Sequence, residues 1–227
     1  MIGFCALNVC LCAQTHANKL EHTAPQGGVS SYKTSAGSIV LPRIYTDNMV
    51  LQHNSVVTIP GIAAPGSKVV LKAEWLSAPV SAVTDGNGKF TLKLPTPDCG
   101  GPYTIVLNDG HGEKVVQNIL IGEVWLCSGQ SNMEFPIRGD WARLADADRV
   151  VADMGRPALR LLQIKNTTSL TPLDDASVEY GWVESSPAAE SFSAIGYLYG
   201  RMLQDSLEVP VGVIDATWGG TTVEAWT

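Results

Sequence analysis

The sequence predicts an α/β domain preceded by a small antiparallel β-sandwich. Three observations lead there. Between residues 39 and 120, short runs of alternating apolar residues are separated by turn signals. From residue 121, compact apolar runs alternate with segments that carry the helical period. At the join stands an abrupt strand end, Gly122-Glu-Val-Trp-Leu-Cys127, followed at once by Ser128-Gly129-Gln130-Ser131.

The β-rich part spans residues 39–120. Its runs are Met49–Leu51, Val56–Ile59, Lys68–Lys72, Phe90–Leu94, Tyr103–Leu107 and Val115–Leu120. Ala64-Pro65-Gly66, Asp85-Gly86-Asn87-Gly88, Gly100-Gly101-Pro102 and Asp109-Gly110 stand between them. Strands at this spacing, with Asp-Gly and Pro-Gly turns, suit an antiparallel sandwich. Lys89–Leu94 is the clearest case: Phe90, Leu92 and Leu94 share one face, and Lys89, Thr91 and Lys93 the other.

The second part, residues 121–227, reads strand, helix, strand, helix, strand. After the run ending at Cys127, a helix is expected over Trp141–Met154, stopped by Gly155-Arg156-Pro157. Leu159–Ile164 reads as a buried strand. Phe192–Leu207 repeats Ile195, Leu198, Tyr199 and Leu203 at helical spacing, and Val209–Ile214 is a further strand. Strands separated by helices pair in parallel. No internal repeat is present, and the boundary falls near residue 120.

Residues 1–17 have the apolar centre of a leader, Met1–Ala13, with Ala13 or Ala17 at a cleavage point but no basic start. The alternatives are a misplaced start codon or an ordinary buried strand. A leader implies a secreted or periplasmic protein. Residues 18–38 are small and polar, as in a flexible linker. No later run approaches the length of a membrane span.

The formal net charge is −7, from 15 Lys and Arg against 22 Asp and Glu. That balance excludes a surface built to follow nucleic-acid phosphates, and a polybasic membrane attachment. Three of the five cysteines (Cys5, Cys10, Cys12) lie in the leader. Cys99 and Cys127 read as two isolated buried thiols, with a disulfide between them as the alternative. No Cys-x-x-Cys pair or His/Cys cluster has zinc spacing, so neither a metal nor another cofactor is expected.

Ser131 is the sharpest candidate. A serine at a strand-to-helix turn sits at the carboxyl edge of a parallel sheet, where open α/β sheets place their ligands. The turn that follows aims backbone N–H groups at the oxyanion formed when Oγ attacks an ester carbonyl. Gly129 lets the chain turn tightly beside it. Met133 stands where a Gly-x-Ser-x-Gly elbow has its second glycine, and Gly-x-Ser alone also marks ordinary turns and helix caps.

Four blocks in order make the pattern specific: Leu41–Gln52, Gly122–Pro136, Phe192–Leu203 and Asp215–Trp226. Together they resemble the sialate O-acetylesterase family, a branch of the SGNH hydrolases, nearly continuously over residues 39–227. The resemblance implies a flavodoxin-like three-layer hydrolase domain, incomplete here, with Ser131 as nucleophile, no metal, and O-acetylated sugars as substrates. It implies that the N–H of Gly219 or Gly220 joins that of Ser131 as an oxyanion donor. A Gly-Gly pair also serves as a helix C-cap or strand-end turn. Gln130, Asn132, Trp218, Glu224 and Trp226 are the candidate substrate contacts. Capping of the turn is the alternative for Gln130 and Asn132, and core packing for each Trp.

The departure from the family pattern is the general base. SGNH hydrolases carry a histidine near the C-terminus, close after an aspartate. Here His16, His22, His53 and His111 all precede Ser131. The chain therefore reads as the front part of such an enzyme, from a truncated gene model, a split gene or an incomplete assembly. The alternative is a short inactive relative. Three functions follow for test: acetyl-ester hydrolysis on a sugar (acetylated xylan included), non-catalytic carbohydrate binding, or a bare β-sandwich module.

Overall fold

The computed structural model describes residues 39–222 and Glu224. The expected leader 1–17, the linker 18–38 and Trp226 lie outside the described residues.

The N-terminal strands follow the alternation closely. In β5 (Lys89–Pro95) Phe90, Leu92 and Leu94 are buried while Lys89, Thr91 and Lys93 are exposed. β2 (Val56–Ile62) pairs with it antiparallel, Ile59 opposite Leu92. β3 (Lys68–Ala73) pairs antiparallel with β4 (Val80–Val83) and with β6 (Gly100–Asn108). β6 in turn pairs antiparallel with the first half of β7 (Glu113–Gly129). The β2–β5 pair and these strands bury one core that includes Ile59, Leu71, Leu92, Ile105, Leu107 and Ile119.

β7 is 17 residues long and runs through the expected boundary at residue 120. No Asp-Gly or Pro-Gly turn interrupts Val115–Cys127, and the two apolar runs form one strand. Gly122 does not break it. A Cβ there would meet the Pro210 carbonyl oxygen at 2.0 Å, so the glycine permits close backbone approach inside the strand. β1 (Val50–Gln52) pairs parallel with residues 120–122 of β7.

Beyond residue 122, β7 enters a parallel set of three strands, as the alternation of strands and helices predicts. β10 (Val211–Thr217) lies between β7 and β8 (Arg156–Ile164), with Ile214 opposite both Leu126 and Leu162. β9 (Val178–Ser185), a strand not expected from the sequence, adds antiparallel to β8. The sheet order is β4-β3-β6-β7-β10-β8-β9. Among the described residues, residues 123–129 of β7 pair with β10 alone, so their other edge carries no strand.

The helices depart from expectation in two ways. The expected helix Trp141–Met154 shrinks to α2 (Ala147–Ala152). Gly139 donates to the Ala142 carbonyl and Leu144 to the Ile137 carbonyl, so residues 137–144 fold into a tight loop. Helices also cover one face only among the described residues, where a three-layer domain has them on both. Against that face lies α3 (Ala194–Leu207), whose Gly200 meets Val211, Val213 and Leu159. On the other face Gly212 abuts Val50 and Trp182, and Ile214 and Leu162 join the N-terminal core. Among the described residues no helix is long and apolar enough to cross a membrane.

Candidate active site

β7 ends at Gly129, and α1 (Ser131–Glu134) begins two residues later. Ser131 is therefore the first helical residue past the carboxyl end of a parallel strand, and it is exposed. Gly129 has φ +147°, which glycine adopts readily.

The end of β10 lies beside this turn. Trp218 donates its N–H to the Gly129 carbonyl at 2.9 Å. That bond brings Gly219 and Gly220 alongside α1. A Cβ built on Gly219 would stand 3.4 Å from both Cα and Cβ of Ser131, so Gly219 packs directly on the serine. The same Cβ would meet Glu134 Oε2 at 2.4 Å. Glu134 occupies that space because its Oε2 accepts the Gly219 N–H at 2.7 Å. Gly220 is exposed with φ +76°.

The structure thus brings the turn of Gly219 and Gly220 to the start of α1, with Gly219 against Ser131. It also engages the Gly219 N–H with a side chain. Gln130 Nε2 donates to the Thr221 carbonyl, so this residue staples the glycine loop. Asn132 is exposed beside Ser131, and Trp218 is half-buried. Glu224 is exposed, and hydrogen bonding from its own backbone and from Thr222 holds its carboxyl below the usual range.

Three further residues stand at the site, of which Glu134 and Ser193 were missed in the sequence. Glu134 stands three positions after Ser131, a spacing that puts both on one side of a helical turn. Ser193 caps α3, accepting from Gly196 at 3.0 Å, and donates to the Met133 carbonyl at 2.5 Å. With the Ala194 N–H on the Phe135 carbonyl at 2.8 Å, the start of α3 fixes the exit of α1. Asp215, a lone charge in the apolar run of β10, is 2% exposed. Burial pushes its carboxyl up to about 6; the Glu134 charge adds to the rise, while hydrogen bonds from Thr217 and Ser193 oppose it. Its Oδ1 has no hydrogen-bond partner among the described residues.

Neither described histidine is near. His53 Nε2 donates to Glu123 Oε1 at 2.9 Å, at the opposite end of the parallel stretch of β7. The six steps from Glu123 to Gly129 span about 20 Å at strand rise. His111 sits in the turn that Asp109 closes through the amides of His111 and Gly112. Cys99 and Cys127 are free thiols, and burial raises the Cys127 thiol to about 11.

No family model matches the sequence. Curated relatives do. A sialate O-acetylesterase of Mus musculus is 31% identical over 202 residues, covering 80% of this chain and 36% of that protein. The Homo sapiens sialate O-acetylesterase is 30% identical over 200 residues, 79% of this chain and 37% of its own length. The chain thus spans little more than a third of the length of these relatives. Among solved structures, a carbohydrate acetylesterase from Xanthomonas citri superposes with a TM-score of 0.77 at 30% identity. That likeness covers 84% of this chain and 43% of the other. Across four fifths of its length, the chain is thus a homologue of sialate O-acetylesterases, which are carboxylic ester hydrolases.

Proposed function

We propose that this chain is the nucleophile-bearing part of a serine esterase that removes O-acetyl groups from sugars. Ser131 Oγ attacks the acetyl carbonyl and its proton leaves with the departing sugar oxygen. Acetyl-Ser131 remains, and water releases it as acetate. The oxyanion meets the N–H groups of Ser131 and Gly220, because the Gly219 N–H is held by Glu134. Asn132, Trp218, Glu224 and Trp226 are the sugar contacts in this reading, and Gln130 acts through the loop it staples. Residues 39–120 form the β-sandwich unit beside the hydrolase part, and the leader directs the protein to a secreted or periplasmic location.

The observation that carries this reading is an exposed serine at the first turn after a parallel strand, with Gly219 packed on its Cα and Cβ. The relatives named for acetyl esters of sugars support the substrate class. His53 and His111 stand far from Ser131, so the described residues supply no imidazole base, and residual rather than full hydrolysis is expected from this stretch. The same fact favours the second reading, a carbohydrate-binding protein without turnover. Acetate release from O-acetylated sialic acid and from acetylated xylan oligosaccharides separates the two. Slow release that Ser131→Ala abolishes supports the esterase. Sugar binding with no Ser131-dependent release supports the binder.

A further inference from the structure

We propose that Glu134 is a positioning residue for the oxyanion-binding turn, an inference that rests on the esterase reading of Ser131. Glu134 lies one helical turn after Ser131, and its Oε2 accepts the Gly219 N–H at 2.7 Å. The two residues are 85 positions apart, so this bond joins α1 to the turn that follows β10, beside the serine. The backbone approach it secures is tight. The Cβ position of Gly219 lies 2.4 Å from the carboxylate oxygen and 3.4 Å from Ser131, so no other residue fits there without displacing Glu134.

Two consequences follow. Gly219 has a structural duty, and its amide is not the second oxyanion donor; Gly220, the next residue in the turn, takes that role. A hydrogen bond to a carboxylate is also stronger than one to a neutral acceptor. The glycine turn is therefore held against Ser131 before substrate arrives, and pre-set donors cost no reorganisation during reaction. Two flanking bonds, Gln130 to the Thr221 carbonyl and Trp218 to the Gly129 carbonyl, hold the same turn from either side. The Glu134 bond reaches its centre, at Gly219.

The test compares wild type, Glu134→Ala and Glu134→Gln in the full chain. The first readout is amide hydrogen exchange at Gly219, followed by NMR on 15N-labelled protein. Glu134→Ala is expected to speed it by about tenfold or more, and Glu134→Gln, which keeps a carbonyl acceptor, by no more than about threefold. The second readout is the rate of Ser131 acetylation by 4-nitrophenyl acetate, measured by intact mass. A loss of about tenfold in the alanine variant with partial recovery in the glutamine variant supports the proposal. Unchanged Gly219 exchange in Glu134→Ala overturns it, whatever Ser131 does. Faster exchange with wild-type acetylation also overturns it, since the bond would then be structural only. Absence of acetyl-Ser131 in every protein, wild type included, overturns instead the esterase reading beneath it.

Discussion

The Trp218 amide donates to the Gly129 carbonyl at 2.9 Å, one step past the last register pair, Thr217 with Gly129. The ladder between β7 and β10 therefore continues into the turn that carries Ser131. Gly129 completes that turn at φ +147°, and a Cβ there would stand 3.1 Å from Met133 Cγ. Gly129→Ala is expected to cost about 1–3 kcal/mol of stability, because an L side chain is strained in this backbone region. Urea unfolding checks it; a midpoint equal to wild type would show that the turn relaxes without cost.

Asp215 gives a stability term with a definite sign. Its folded carboxyl is raised to about 6, above the ordinary value of 3.8. The folded state therefore binds the proton more tightly than the unfolded chain. The associated stability is full below pH about 4 and is lost as pH rises through about 6. Asp215→Asn removes the buried charge and keeps the side-chain shape. It is expected to match wild type near pH 4 and to be more stable at pH 8 by on the order of 1–3 kcal/mol. Denaturant midpoints of both proteins from pH 4 to 8 test this. A difference that does not change with pH contradicts the assignment.

Gly200 on α3 faces the sheet, and a Cβ there would lie 2.5 Å from Val213 Cγ2 and 3.1 Å from Leu159 Cδ1. Alanine normally favours a helix over glycine by roughly 1 kcal/mol. Here the β-branched Val213 is fully buried and has little room to give. Overpacking of about 1–3 kcal/mol is expected to outweigh the helix gain, so Gly200→Ala should lower the melting temperature. A higher melting temperature would mean that α3 can move off the sheet.

Local patterns made much of this fold legible. The alternation in Lys89–Leu94 is the burial pattern of β5, and the strand-to-helix change at Cys127–Ser131 located the exposed serine. The parallel pairing of Leu159–Ile164 with Val211–Ile214 followed from the helix between them. What stayed hidden depends on distant partners. β9 carries glutamates and Gly181 in its run, and becomes a strand because β8 offers it an edge. Trp141–Leu144 have helical composition, yet the Ile137 carbonyl captures the Leu144 amide first. Glu134 carries no signal of its role in the sequence, since its partner Gly219 is 85 positions away. The continuity of β7 through residue 120 was hidden for the opposite reason: Gly122 resembles a break, but it is the place where the Pro210 backbone comes close.

The placement of Ser131 is tested most directly by mapping the site of covalent acylation. The full chain and Ser131→Ala are incubated with 4-nitrophenyl acetate, and then separately with an alkyl fluorophosphonate, and the peptides are read by tandem mass spectrometry. The expected result is one slow, stoichiometric adduct on the peptide containing Ser131, absent from Ser131→Ala. Adducts on other residues with Ser131 unmodified, or equal labelling of both proteins, would contradict Ser131 as the nucleophile.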